Sequence, residues 1–526
     1  MFQINNKRIA AALASGLMLT GAFPNLDAPW LAWGALVPLF WAIYGKQPGT
    51  GFRLGFIAGL AHYLTLMYWL SHTMTSYGGI AWILAVPILF LLAAYLSLFP
   101  AVFAWLTSRY RPTPLISLIL IPSTWTGLEF VRSFLLSGLP WGFLGNTQFK
   151  WLPLIQMVDI FGVYGVSFLI VFVNVTLALG ICFFCRWKWF DRPVSLTTVL
   201  VASGWVIAII AATLGYGYQR IRTIDAVVNQ SDMRTVAAIQ GNIAQDVKWD
   251  ANFVISTISN YVQLSTHFKT SQTDLVVWPE SATPFYFTDN QYLTRMVMAG
   301  VKTAGTDFLI GSPSFIDDNG KIVYHNSAYL IDKTGRAIDR YDKAHLVPFG
   351  EYVPFKKYLP FLGKIVSHVG DFVPGPMGKT VPWRDHQIGV LICYELIFPE
   401  LARRQVENGA SFLVNLTNDA WYGRTSAPYQ HFSMAVFRAV ETRRALVRVA
   451  NTGISGFIGP TGQIQKPTEL FAATAIRQAV PMISIKTNYV RVGDLFAKIC
   501  LGILLFWVGY RFSMARIRPR NDNASG

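Results

Sequence analysis

Apolar residues follow two rhythms along this chain. Up to about residue 216 they run in long stretches with short polar breaks, at 8–24, 29–45, 54–75, 80–107, 114–135, 162–185 and 195–216. About twenty mostly apolar residues in a helix cross the roughly 30 Å of bilayer hydrocarbon, so each stretch predicts a membrane span. The first two are short, and the fourth is long enough to tilt. Lys7 and Arg8 precede the first as in a signal peptide, but more spans follow at once, which predicts a retained anchor. From about 220 to 490 the rhythm changes. Short apolar runs such as TVAAIQGN, TDLVVWPE, DFLIGSP, QIGVLICYE and ASFLVNLTND alternate with turns and helical patterns, which predicts an α/β sandwich. A last apolar segment, 494–512, brings the expected number of spans to eight.

The expected organisation is a multi-pass α-helical membrane bundle over 1–219, an α/β domain outside the membrane over 220–490, and an eighth span with a cytoplasmic tail over 491–526. The closing RPRNDNASG is expected to be disordered. Composition agrees. Hydrophobic residues make up 53% and charged residues 14%, with a mean hydropathy of +0.38, more apolar than a soluble protein of this size needs.

Charge sets the orientation. The net charge of +16 and pI near 9.6 would suit nucleic acid, but the basic residues cluster at the ends of apolar segments, which argues against a nucleic-acid partner. Lys7, Arg8, Lys46, Arg53, Arg109, Arg111, Arg186, Lys188 and Arg192 lie at alternate connections, whereas FPNLDAP and SHTMTSYGG carry no Lys or Arg. The N-terminus is therefore expected inside and the 220–490 section outside. Arg511, Arg516, Arg518 and Arg520 place the C-terminus inside as well. The connection from about 136 to 161 breaks the rule with Lys150, and its Trp141 and Trp151 are expected at headgroup level. Glu129 and Arg132, near an outer boundary, are expected to pair.

Four cysteines are present, and Cys182, Cys185 and Cys500 fall in apolar segments. Cys393 is alone in the polar section, so no disulfide forms within it. Cys182 and Cys185 have C-x-x-C spacing at a membrane-segment end without a second pair, which argues against metal; no metal or cofactor is expected. The stretch Gln387 to Asn418 reads as strand, cysteine, helix and strand, and a thiol beside a helix N-terminus is favoured as thiolate. Glu280 closes DLVVWPE and Lys343 sits in YDKAHLVPFGEYVP. Singly these are compatible with a solvated strand end, a surface lysine and a core cysteine. Together they suit acyl transfer. A thiol with an ordinary pKa of about 8.5 needs a carboxylate to take its proton. The oxyanion formed on attack needs a fixed ammonium and a backbone N–H.

WPE, YDKAHLVPFGEYVP and CYE resemble the three catalytic motifs of the nitrilase superfamily, and their attachment to a membrane bundle resembles the bacterial apolipoprotein N-acyltransferases. The resemblance covers nearly the whole chain. It implies an αββα sandwich in which Glu280 is general base and acid, Lys343 the oxyanion stabiliser and Cys393 the nucleophile that becomes a thioester. It implies that Glu351 is a second active-site glutamate holding Lys343 or positioning the amine, and that Tyr394 and Glu395 are the nucleophile's characteristic neighbours. Trp249 in QGNIAQDVKW, Trp421 in LTNDAWYG, Trp141 and Asn326 in YHNSAYL are implied substrate contacts, with interfacial packing the other reading of the tryptophans. His345 and His431 invite a Cys–His reading, but Glu280 already supplies the base, and structural roles are expected for both.

The implied reaction takes an acyl chain from the sn-1 ester of a phospholipid, phosphatidylethanolamine by resemblance, and gives it to the N-terminal amine of diacylated apolipoproteins. The implied place is the bacterial inner membrane with a periplasmic catalytic domain. The aromatic-rich 361–375 segment is a candidate lid. A membrane-tethered amidase and a non-enzymatic transporter are the alternatives; polar residues are too scarce in the spans for a pore.

Overall fold

The computed structural model describes residues 5–250, 252–267, 272–318, 321–354 and 371–517. The expected tail from Arg518 onward, and 361–370 of the candidate lid, lie outside the described residues.

Among the described residues five helices are long and apolar enough to cross a membrane: Trp82–Tyr110, Pro114–Arg132, Val163–Phe184, Leu196–Gln230 and Leu495–Met514. Pro48–Leu66 and Trp69–Ser76, bent by 51°, make a sixth if taken as one span. The chain is a multi-pass membrane protein, with five or six spans by this measure where eight were expected. The shortfall lies at the start. The first helix, Asn6–Gly21, has 16 residues, about 24 Å at 1.5 Å per residue. The second stretch breaks into a 3₁₀ turn, Pro29–Trp33, and a short helix, Val37–Ile43. Proline stands in the first turn of each, where it starts a helix rather than continuing one. Val163–Phe184 is the central helix, with 72% of its most apolar window buried against 11% for Leu196–Gln230, which presents its apolar sides outward.

Leu196–Gln230 runs on past the expected end of its span and leads into the first strand of an α/β sandwich. A two-residue hairpin, β1 (Lys188–Trp189) with β2 (Arg192–Pro193), precedes it. One sheet of the sandwich holds β3 (Asp232–Gln240), β4 (Leu275–Val277), β5 (Asp307–Asp318), β6 (Lys321–Ile331), β7 (Ala337–Asp342) and β14 (Thr474–Met482), in the order β14-β3-β4-β5-β6-β7. The other holds β8 (Thr380–Trp383), β9 (His386–Ile392), β10 (Phe412–Thr417), β11 (Leu446–Ala450), β12 (Gly456–Ile458) and β13 (Ile464–Gln465), in the order β13-β12-β11-β10-β9-β8. Each has three parallel strands at its heart, β3, β4, β5 and β9, β10, β11, with antiparallel strands outside.

Alternation along the strands sorts the faces. Val236, Ala238, Val277 and Leu309 from the first sheet meet Val390, Ile392, Val414 and Val447 from the second in one core. Ala237, Ile239, Val276 and Phe308 point the other way, onto helices Val254–Thr266 and Gln291–Ala304. The outer face of the second sheet, through Leu391, Leu413 and Leu446, is covered by Pro399–Glu407 and Ala427–Thr442, and these helices share a single hydrophobic core with the membrane bundle. One helix layer thus serves both halves of the protein.

Buried polar contacts lock this junction. Asp159 accepts from Arg443 Nε and Nη2 at 3.1 and 2.9 Å and from Arg220 Nε at 2.8 Å. Glu441 accepts from the Val163 N–H at 3.1 Å. The expected Glu129–Arg132 pair is not an ion pair within 4 Å among the described residues; each instead holds backbone of the 141–144 loop. Arg132 donates to the carbonyls of Trp141 and Gly142 at 2.9 and 3.3 Å, and Glu129 accepts from the Leu144 N–H at 2.8 Å. Trp141 is enclosed by protein. It is 2% exposed, its indole N–H donates to Gln430 at 2.8 Å, and its ring stacks on His431. A buried indole needs an acceptor, and Gln430 is one. Trp151, by contrast, is 41% exposed.

Candidate active site

Strand topology gathers the polar residues. Glu280 follows β4, Lys343 follows β7, Cys393 follows β9 and Asn418 follows β10. Parallel strands end together, and β7, antiparallel to β6 as β6 is to β5, runs the same way as β5. All four residues therefore emerge at one end of the sandwich, where open α/β sheets leave a crevice. Two of the turns are tight: Ser281, just after Glu280, has φ 49° and Cys393 has φ 51°, both left-handed. Gly311 on β5 passes the Glu280 turn so closely that a Cβ there would sit 2.3 Å from the Pro279 carbonyl oxygen.

Glu280, Lys343, Glu351 and Asn326 form one contact set. The Asn326 amide, on β6, donates to Glu280 Oε1 and to Glu351 Oε1, each at 2.8 Å. Lys343 Nζ lies 2.9 Å from Glu351 Oε1 and 3.6 Å from Glu280 Oε1. The second oxygen of Glu280 accepts from the Asn418 N–H at 3.0 Å, and that of Glu351 from the Val347 N–H at 2.8 Å. Burial alone would lower the Lys343 pKa, but Glu351, Glu280 and Cys393 outweigh it and hold the ammonium above its ordinary value.

Cys393 faces the same groups. Burial pushes its thiol up, Glu280 pushes it further, and Lys343 only partly opposes them. This corrects the expectation of a helix-stabilised thiolate. Only a short 3₁₀ turn, Cys393–Ile397, follows the cysteine directly, and the resting group is a neutral thiol. Glu395 braces the turn from below, accepting from the N–H groups of Ile392, Ala344 and His345 at 2.7, 2.7 and 3.0 Å and from the Tyr341 hydroxyl at 2.9 Å. It ties the Cys393 turn to the Lys343 loop. Burial raises its pKa to about 7 despite these donors. Tyr394 packs on Phe398 and reaches the Gly138 carbonyl at 3.4 Å.

Of the aromatic candidates, Trp249 is 53% exposed and Trp421 is 38% exposed, its ring edge-on to Tyr77 of the membrane section at 5.6 Å. Trp141 is buried under the site. His345 lies against Phe398 with ring centroids 3.9 Å apart, and burial followed by Lys343 lowers its pKa to about 4.

Two further features surround the site, the first built on His431, for which a structural role was expected. His431, Asp419, Arg448 and Asn415 make a buried network behind Cys393. His431 Nε2 is 3.2 Å from the Cys393 carbonyl, which can only accept, so Nε2 carries the proton. Nδ1 then accepts from Arg448 Nη2 at 3.0 Å; burial and Arg448 keep the ring neutral. Asp419 Oδ1 also lies 3.1 Å from Nδ1, but its carboxylate is met by Arg448 Nη2 at 2.7 Å and Thr417 Oγ1 at 2.9 Å. The second feature is Lys248, 1% exposed, whose Nζ donates to the Glu280 carbonyl oxygen at 3.2 Å. No periodicity marks either, although Lys248 directly precedes Trp249. No group of His, Cys, Asp and Glu able to hold a metal is found among the described residues.

Known proteins match both halves of this architecture. Residues 15–176 match the apolipoprotein N-acyltransferase N-terminal domain and 235–485 match carbon-nitrogen hydrolase. The apolipoprotein N-acyltransferase of Geobacter metallireducens is 44% identical over 491 residues, 93% of this chain and 92% of that one. Those of Rickettsia prowazekii and Pasteurella multocida are 31% and 29% identical, over 88% and 92% of this chain and 90% and 91% of theirs. In shape the chain is similar to a mutant of the Nesterenkonia AN1 amidase from the nitrilase superfamily, with 17% identity and a TM-score of 0.38 over 51% of this chain and 97% of that one. A membrane bundle and a carbon-nitrogen hydrolase domain, matched along nearly their full joint length, place this chain in the apolipoprotein N-acyltransferase family of the nitrilase superfamily.

Proposed function

We propose that the protein transfers an acyl chain from the sn-1 ester of a membrane phospholipid, phosphatidylethanolamine by resemblance, to the N-terminal amine of diacylated apolipoproteins, in lipoprotein maturation. The observation that carries this reading is the Glu280, Asn326, Lys343 and Glu351 contact set beside Cys393, in a chain 44% identical to an apolipoprotein N-acyltransferase over 93% of its length.

In the first half, Glu280 takes the Cys393 Sγ proton as sulfur attacks the ester carbonyl carbon. The oxyanion is met by the Lys343 ammonium and by an N–H of the 3₁₀ turn after Cys393, since the first N–H groups of a helix have no partner within it. Collapse breaks the C–O bond, Glu280 returns its proton to the leaving glycerol oxygen, and a lysophospholipid departs from a Cys393 thioester. In the second half the lipoprotein amine attacks the thioester carbon, the C–S bond breaks and the thiol is restored. Glu351 holds Lys343 in place, and Asn326 fixes both carboxylates. Trp249 and Trp421 are proposed acyl-chain contacts.

The arrangement in the membrane is also a proposal. Residues 1–219 form the bundle, 220–490 the catalytic domain and 491–526 the last span and tail, with the short helix Asn6–Gly21 and the broken stretch 29–43 completing eight crossings. Alternating Lys and Arg at the connections support cytoplasmic termini and a periplasmic catalytic domain at the inner membrane. Both substrates are anchored in the bilayer, so a membrane-held nucleophile meets them by lateral search.

Purified protein incubated with phospholipid labelled in the sn-1 chain is expected to acquire a hydroxylamine-sensitive label that Cys393→Ser abolishes. Absence of label together with release of free fatty acid, or of ammonia from amides, would make the protein a hydrolase instead.

A further inference from the structure

Proton accounting separates the two half-reactions, on the acyl-transfer reading above. Thioester formation moves one proton, from Sγ to the leaving alcohol oxygen, and Glu280 alone can carry it. Transfer to an amine is different. An N-terminal amine with an ordinary pKa of about 7.7–8.0 arrives at neutral pH mostly as an ammonium with three protons. The amide product keeps one, and Cys393 Sγ takes one by way of Glu280. One proton is left over and needs a second acceptor.

Most neighbours are unsuited to it. Lys343 is held as a cation by Glu351 and Glu280. Glu351 is engaged by Lys343, Asn326 and the Val347 N–H. His345, at about 4, is too weak a base to hold a proton at neutral pH. Both ring nitrogens of His431 are committed, to the Cys393 carbonyl and to Arg448.

We infer that Lys248 is the second proton acceptor, its neutral amine taking one proton from the incoming lipoprotein ammonium. Lys248 is fully enclosed, and among the described residues its Nζ makes one hydrogen bond, to the carbonyl oxygen of the general base itself at 3.2 Å. The groups that act on it are Glu280 from the turn after β4 and Cys393 from the turn after β9; its own segment adds Asp246 and Asp250, and Lys343 faces the same carboxylate and thiol. Burial lowers the Lys248 pKa to about 8 against the opposing pull of Glu280 and Cys393, level with the incoming amine, so a proton passes between the two at little cost. The next residue, Trp249, is exposed, so one short segment presents an indole outside and an amine within.

The step balances. The Nζ lone pair of Lys248 takes one N–H proton, and the freed amine attacks the thioester carbon. The C–S bond breaks, Glu280 passes the second N–H proton to Sγ, and Lys248 releases its proton to solvent.

The test follows each half-reaction in the full-length protein. Enzyme is charged with labelled phospholipid, and the thioester is then chased with a synthetic diacylglyceryl-cysteine peptide across pH 6.5–9.5. Lys248→Arg keeps the cation but accepts no proton; Lys248→Met removes both. Lys248→Arg is expected to form thioester at about the wild-type rate but to discharge it roughly tenfold more slowly at pH 7, because only about a tenth of the amine is already neutral there. The deficit should shrink as pH rises past the amine's own pKa. Wild-type discharge in Lys248→Arg at every pH, or equal slowing of both halves, would overturn the assignment in favour of a structural role. Failure of the wild-type protein to form a thioester would instead remove the acyl-transfer reading itself.

Discussion

Nε2 of His431 donates to the backbone carbonyl of Cys393 at 3.2 Å, from a helix that also packs on the membrane bundle. Cys393 has φ 51°, a left-handed conformation costing about 1–3 kcal/mol in a residue other than glycine. The histidine therefore helps to hold Cys393 on its turn. His431→Phe is expected to keep the fold and slow Cys393 acylation about tenfold, the worth of one buried hydrogen bond. The rate of labelling by phospholipid checks it, and His431→Gln, whose amide can still donate, should recover part of the loss.

Asp419 lies behind that histidine, fully buried beside Arg448. Burial would raise its pKa, but the Arg448 guanidinium, with the Thr417 hydroxyl, outweighs it and holds the carboxyl at about 2. The folded value is below the unfolded one of about 3.9, so the stabilisation is complete above about pH 4 and is lost as pH falls through 2. Asp419→Asn should cost about 3–5 kcal/mol at neutral pH because it strands Arg448. Thermal unfolding of both proteins from pH 7 downward should show the gap closing in that acidic window.

Asp159 joins the bundle to the catalytic domain through Arg443 and Arg220. Asp159→Ala leaves the buried Arg443 without its partner, for which about 3–5 kcal/mol is the expected loss. Because the helix Ala427–Thr442 is shared by both halves, limited proteolysis should show the sandwich and the bundle loosening together rather than one alone.

The three tryptophan candidates should separate by phenotype. Trp141→Ala empties a buried site and removes a donor from Gln430, a cost of about 3–5 kcal/mol that lowers Tm. Trp249→Ala and Trp421→Ala alter half-exposed side chains and should leave Tm nearly unchanged while raising the apparent KM for phospholipid. Equal Tm losses in all three would reduce Trp249 and Trp421 to packing residues.

Glu395→Gln replaces an acceptor by an amide among four donors. A donor facing donors costs about 1–3 kcal/mol, and since Glu395 ties the Cys393 turn to the Lys343 loop, the activity loss should exceed the stability loss. Thermal unfolding read beside thioester formation checks it.

The two rhythms that separate membrane helices from an α/β section, the isolation of Cys393, and the three motifs carrying Glu280, Lys343 and Cys393 are legible in the residue order. These are local properties: hydropathy over a window, strand alternation, and short runs of residue types. Hydropathy counts residues and so does not show that the first helix has only 16 or that Pro29 and Pro38 begin new helices in the second stretch. Tertiary structure alone decided which polar groups are buried and against what. Lys248 reaches Glu280 across 32 residues, and His431 reaches Cys393 across 38. Trp141 finds Gln430 across 289, which encloses its indole in protein. Such pairings depend on where strands end and helices dock, and a side chain's charge state follows from that enclosure. Cys393 illustrates the division: the sequence marks it as a candidate nucleophile that needs a base, but only its enclosure beside Glu280 shows the thiol pushed further up rather than down.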